Sequence, residues 1–398
     1  MTGRDGNKPA PSGRRLLVGI GAGAGAFLAA AMATGSAVTA APAHADFEDL
    51  IDPIIQPLLT HVADSIGAFD PAAALDLTNW TDHLLAGLGS IDLAVPSVAE
   101  PAASALAPTA DAAAATGGTI PLTVLEGTEP AVYATIGDGS SSVPLLVDTG
   151  SSGLVVPESD LGANNLWQLL LDYGFPSHIG ESGYSGGVDY LYMTFNNVPV
   201  DYGDGALSTT GPVDVEFYSW EPGNFGSLFT NDAFQNFLSG NDVSGILGIG
   251  ENTAGPTTSP FESFGGVTVD IPGKELIVGS DAPIIGTTVN GAPIASLYET
   301  VTNGGTVSGG SAVSDDVDSG GVYGTIPSSL ASDVAPGSVI SVYTSEGGTL
   351  LYQYTVQSGE LPTATSGTSI DSGVEPFLTH AIYINYADNT MTIGPSIN

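Results

Sequence analysis

"PLLVDTGSSGLVVP", residues 144–157, sets one aspartate between two apolar runs. Leu145-Leu146-Val147 and Leu154-Val155-Val156 read as buried strands. Burying a carboxylate without a partner costs several kcal/mol. Asp148 therefore sits at a surface turn or has a partner. A second segment, "SDDVDSGGVYGTIP", residues 314–327, supplies a candidate. There Asp318-Ser319-Gly320 follows Val317 and precedes apolar residues and Pro327, in the order seen around Asp148-Thr149-Gly150 and Pro157. One Asp-Thr-Gly is a common turn. Two in one β-rich chain read as an internal duplication, two lobes each donating an aspartate.

The residue types fit one chemistry. Two carboxylates held about 3 Å apart cannot both ionise, so they share a proton. The ionised one can act as general base toward a water, and the protonated one can polarise a carbonyl. Gly150 and Gly320 let the two turns approach closely. The Thr149 and Ser319 hydroxyls can reach across to the opposite loop, and Ser151 can hydrogen-bond the outer oxygen of Asp148. The missing partner of Asp148 is thus expected to be Asp318.

Composition agrees with a mainly β chain. The 398 residues include 54 Gly and 27 Pro, and only 12% are charged, which favours turns and strands over helices. Val, Thr and Ile become frequent after about residue 118. The formal net charge is −38, and the five basic residues are Arg4, Lys8, Arg14, Arg15 and Lys274. Such a chain should not bind nucleic acid, which needs Lys and Arg to displace counterions. With no cysteine there is no disulfide, thiolate metal site or thiol nucleophile. His61, His83, His178 and His380 are widely spaced and form no metal-ligand pattern, so no metal and no cofactor is expected.

The N-terminus reads as an export signal. "SGRRLLVGIGAGAGAFLAAAMA" has a basic start and an apolar run, and Ala43 to Ala45 form an Ala-x-Ala cleavage site. Arg14-Arg15 before Leu16-Leu17 resembles a twin-arginine signal. Residues 46–100 are expected to hold short helices: Phe47, Leu50, Ile51, Ile54, Leu58, Val62 and Ile66 share one helical face. This region is either packed on the main domain or a docking element for the cell envelope. Residues 101–118, Ala-rich and small, read as an exposed linker and a candidate self-cleavage site. The alternating apolar pattern then runs from Thr119 to Asn398, with a lobe boundary expected near residue 290.

On these motifs residues 119–398 resemble the pepsin-like aspartic proteases. "DVSGILGIG", residues 242–250, resembles the family segment that threads beneath the first aspartate. "VTVDIPGKELIVGSD" resembles the strands closing the first lobe, and "AIYINYADNTMTIGP", residues 381–395, the final strand pair. "VPVDYGDGALSTTGPVDVEF", residues 198–217, resembles the flap hairpin, which would make Tyr202 the flap tyrosine, with Gly203 and Gly205 at its turn. Val155 stands where the resemblance places the tryptophan that bonds the flap tyrosine, leaving Tyr184, Tyr190 and Tyr192 as alternatives. The motif Asp-Ser-Gly-Gly-Val-Tyr-Gly, residues 318–324, most closely resembles the aspartic protease domain attached to mycobacterial PE proteins.

The resemblance implies an all-β, two-lobed fold. It also implies a secreted or cell-surface aspartic endopeptidase that cuts extended protein segments of the cell envelope, without metal or cofactor. The alternative is an inactive protein of that fold that binds an envelope partner through its cleft. Three further acids compete for attention. Asp371-Ser372-Gly373 is a third Asp-Ser-Gly, read as part of a loop below Asp318, and Asp315 and Asp316 are read as loop carboxylates.

Overall fold

The computed structural model describes residues 117–163, 166–184, 187–224, 227, 230, 232–280 and 284–397. The expected export signal ending at Ala45, the helical region 46–100 and the linker up to residue 116 lie outside the described residues. The remainder is built from two sheets, one of 13 strands and one of seven.

The chain enters through three successive antiparallel strands, Gly118–Leu125, Glu129–Ile136 and Val143–Asp148. The third ends on Asp148. The return strand Ser152–Pro157 does not pair with it directly. Gly245–Ile249 slides between the two arms, parallel to the first (Leu145 opposite Gly245) and antiparallel to the second (Gly153 opposite Gly248). All residues of Ser152–Pro157 and Gly245–Ile249 are buried, as in strands covered on both faces. This is why the apolar runs around Asp148 show no polar alternation.

The second lobe repeats the arrangement. Ser369–Asp371 runs parallel to the end of Thr306–Asp316, with Asp371 opposite Asp316, and antiparallel to Thr325–Pro327, with Asp371 opposite Thr325. Ile294–Asn303, Val339–Tyr343 and Leu350–Thr355 complete that sheet on one side, and Thr363–Thr365 on the other. Asp315 and Asp316 are thus strand residues, not loop carboxylates. Thr306–Asp316 approaches the loop with Val313 and Asp315 on its buried side.

The lobe boundary near residue 290 does not describe the last strands. Ile382–Asn385 and Thr390–Ile393 leave the second lobe and join the first sheet: Ile382 lies opposite Val269, and Ile393 opposite Thr287. Ile382, Ile384, Met391 and Ile393 are buried there with Val267 and Val269. The apolar faces of these strands are covered only by returning across the chain, so burial overrides sequence order.

Two hairpins share the long strand Val188–Tyr202. It pairs with His178–Tyr184, Val188 lying opposite Tyr184, and with Leu207–Trp220 through a turn at 203–206. The helix Ala233–Ser239 packs Phe234 and Phe237 against the first of these hairpins.

Candidate active site

Asp148 and Asp318 lie at corresponding places in the two lobes, and the structure brings them together. They are 3% and 1% exposed. The amide N–H of Gly150 serves both carboxyls, donating to Asp148 Oδ1 at 2.9 Å and to Asp318 Oδ1 at 3.1 Å. The N–H of Gly320 donates to Asp318 Oδ1 at 2.8 Å. A methyl group on Gly150 would overlap the Asp318 carboxyl, and one on Gly320 would overlap Asp148 Oδ1. Glycine is required on both sides by this mutual approach.

Thr149 and Ser319 lock the two loops. The Thr149 hydroxyl donates to the Val317 carbonyl at 2.7 Å and accepts the Ser319 N–H at 2.8 Å. The Ser319 hydroxyl donates to the Val147 carbonyl at 2.6 Å and accepts the Thr149 N–H at 3.1 Å. All four bonds cross from one lobe to the other, and both side chains are fully buried. Each hydroxyl satisfies two buried main-chain groups of the opposite loop, which answers why small hydroxylic residues follow each aspartate.

Electrostatics distinguish the carboxyls. Burial first, and then the neighbouring Asp148, Asp371 and Asp316, push the Asp318 carboxyl well above the usual carboxylate range. Asp148 has a stabilising donor that Asp318 lacks, the Ser151 hydroxyl at 2.5 Å from Oδ2. Such charge-assisted bonds favour the ionised form. Burial and its acidic neighbours thus favour a protonated Asp318.

The tyrosine beside this pair is Tyr184. It ends the strand His178–Tyr184, 4% exposed, stacked on Tyr190 and Phe237 with ring centroids 5.7 Å apart in each case. Burial, then Tyr190 and the charge of Asp148, push its hydroxyl well above the ordinary phenol range, while a hydrogen bond with Ser151 opposes this. The expectation for Tyr202, Gly203 and Gly205 is corrected. Tyr202 is fully buried in the first-lobe core, its ring 5.2 Å from Phe261. Gly203 (φ 59°) and Gly205 (φ 93°) do form a turn, but Gly203 abuts Ile120 and Pro121 on the first strand. The hydrophobic demand of the Tyr202 ring holds this tip on the first-lobe core.

Ala131, Leu146, Val155, Tyr184, Tyr190, Phe234, Phe237 and Ile246 form a second apolar cluster that includes Val322 from the Asp318 loop. Val322 has φ 50°, a left-handed conformation that a β-branched residue rarely adopts and that costs on the order of 1–3 kcal/mol. Its carbonyl accepts the Val374 N–H at 3.0 Å, which fixes the loop after Asp318.

Two Asp-Thr/Ser-Gly loops, each underlain by a threading strand and joined through their hydroxyls and glycines, define an aspartyl-peptidase-like domain. Comparison with known proteins gives the same class: a model of the PE-PGRS C-terminal aspartyl peptidase-like domain matches residues 118–393, and the chain belongs to that family. PE cleavage protein A of Mycobacterium tuberculosis (strain ATCC 25618 / H37Rv) is 35% identical over 289 residues, covering 68% of this chain and 50% of that protein. PE cleavage protein A of Mycobacterium marinum (strain ATCC BAA-535 / M) is 36% identical over 288 residues, with coverage of 68% and 50%. The chain spans about half the length of the curated relatives it matches.

Proposed function

We propose that this protein is an exported aspartic endopeptidase of the cell envelope, with Asp148 and Asp318 as its catalytic residues. The observation that carries the reading is the single Gly150 amide shared by the two carboxyls inside a fully hydrogen-bonded cross-lobe lock. Asp148, ionised and bonded by Ser151, takes a proton from a water placed between the carboxyls. Asp318, protonated, donates to the carbonyl oxygen of the scissile peptide. The oxygen of the water forms a bond to that carbonyl carbon, giving a tetrahedral diol. The proton held by Asp148 then passes to the leaving nitrogen, the C–N bond breaks, and Asp318 recovers its proton. Products are one carboxyl and one amine terminus, and no cofactor is consumed.

The substrate would be an extended protein segment added as a strand to the Tyr184 hairpin. Tyr184 and the aromatic residues behind it favour an apolar side chain next to the cut bond. The names of the relatives suggest PE proteins as the substrate class. The export signal, and attachment to the envelope through residues 46–100, belong to the same proposal, as does self-cleavage within 101–118.

The test uses the full chain with a mixed peptide library, with and without a statine-type inhibitor. Cleavage by wild type, blocked by the inhibitor and abolished in Asp148→Asn while the fold persists, is the expected result. An inhibitor that binds without any cleavage would favour a binding module of the same fold.

A further inference from the structure

The two catalytic loops differ at their fourth residue. On one side Ser151 fills the position and donates to Asp148. On the other stands Gly321, whose backbone is outside the left-handed region, so a serine would be conformationally allowed. The slot is already occupied: the three atoms nearest to a Cβ built on Gly321 are the two oxygens and the carboxyl carbon of Asp371. Asp371 is 5% exposed and firmly held. Its N–H donates to Thr325 Oγ1 at 3.0 Å, and its Oδ1 accepts the Gly373 N–H at 2.7 Å. The threading strand of the first lobe makes the same crossing with Gly245, Ile246, Leu247, Gly248 and Ile249. The crossing itself therefore has no need of an acid.

We propose that Asp371 is a positioning residue for hydrolysis: seated in the slot that Gly321 opens, it sets a third carboxyl against Asp318 and extends to higher pH the range over which the catalytic pair keeps its proton. The inference rests on the proposed function of that pair. Asp371 acts on Asp318 from the second loop and Asp316 from the paired strand, and these in turn interact with Asp148 and Asp315. Tyr354 lies on Leu350–Thr355, and Glu375 on the following turn. None of these is a cation. Whichever carboxyl holds a proton at a given pH, Asp371 adds one like charge to the fully ionised state and so opposes loss of the last proton. The elevation of Asp318 has Asp371 among its causes, after burial and Asp148.

The experiment compares pH profiles of kcat/KM on one peptide for wild type, Asp371→Asn, Gly321→Ser and the double variant Gly321→Ser/Asp371→Ala. Asp371→Asn should move the alkaline limb down by about one pH unit and leave the acidic plateau within about threefold. Gly321→Ser alone should lose activity, because its Cβ would overlap the Asp371 carboxyl. The double variant should regain activity with the alkaline limb still low, since the new hydroxyl favours ionised Asp318. A carboxyl-13C titration of Asp318 reads the same shift without turnover. A folded Asp371→Asn with an unmoved limb and an unmoved Asp318 titration would overturn the inference. Should that variant fail to fold, Asp371→Ala, which leaves Gly321 in place, carries the same two measurements. An Asp148→Asn protein that still cleaves would remove the proposed function instead, and the Asp318 titration would still decide the role of Asp371.

Discussion

Removing one hydroxyl of the cross-lobe lock should both loosen the fold and misplace the catalytic pair. Ser319→Ala deletes the donor to the Val147 carbonyl and the acceptor of the Thr149 N–H. Both main-chain groups lie in a site where the flanking residues are fully buried. Leaving two such groups unpaired costs about 1–3 kcal/mol each, so a loss of about 2–4 kcal/mol is expected after partial relaxation. Thr149→Val orphans the Val317 carbonyl and the Ser319 N–H and should cost a similar amount. The two sets share the same pair of loops. Once one hydroxyl is gone the lobes can shift and admit water, so the double variant should fall short of the sum by about 1–3 kcal/mol. Activity should fall more than stability suggests: a displacement near 1 Å between the aspartates costs about a hundredfold in rate. Urea unfolding with m-values, paired with kcat/KM on one peptide, measures both effects. Strictly additive losses, or single variants within about 0.5 kcal/mol of wild type and fully active, would refute the idea that these four bonds hold the site.

Other expectations follow from the same geometry. Tyr184→Phe should lower kcat about tenfold with little change in stability, because the stacked ring stays and only the hydroxyl toward Ser151 is lost, whereas Tyr202→Phe should leave kcat within about twofold. Glu299 is 2% exposed, and burial followed by Asp315 pushes it up to about 8. The folded state then keeps a proton that the unfolded chain releases near pH 4.5. Its contribution is intact below that pH and is lost as pH rises toward 8. Glu299→Gln should therefore match wild type near pH 4.5 and exceed it by about 2–4 kcal/mol at pH 8 in urea unfolding. A pH-independent difference would contradict this.

Much of the site was legible because its chemistry is local. Asp148-Thr149-Gly150 and Asp318-Ser319-Gly320 each need an acid, a small hydroxyl and a missing side chain, and those needs are written in consecutive residues. The threading role of Gly245–Ile249 was also visible, through the resemblance of residues 242–250 to the family's threading segment. The flap was not. Tyr184 and Tyr202 both end strands beside glycine-containing turns, and a period of two says nothing about which tip faces the aspartates. Asp371 was read as a loop acid because its contact with Gly321 joins positions 50 residues apart in the chain.

The sequence by itself determined that two acidic turns, each with its own glycine and hydroxyl, would be embedded in apolar strands. Only the tertiary structure decided which tyrosine guards them, that a third carboxyl takes the place of a second serine, and that the last two strands return to the first sheet. Hydrogen-bonding demands are set residue by residue and can be read along the chain. Burial is settled by competition among all apolar faces at once, and its outcome appears only when the whole chain is packed.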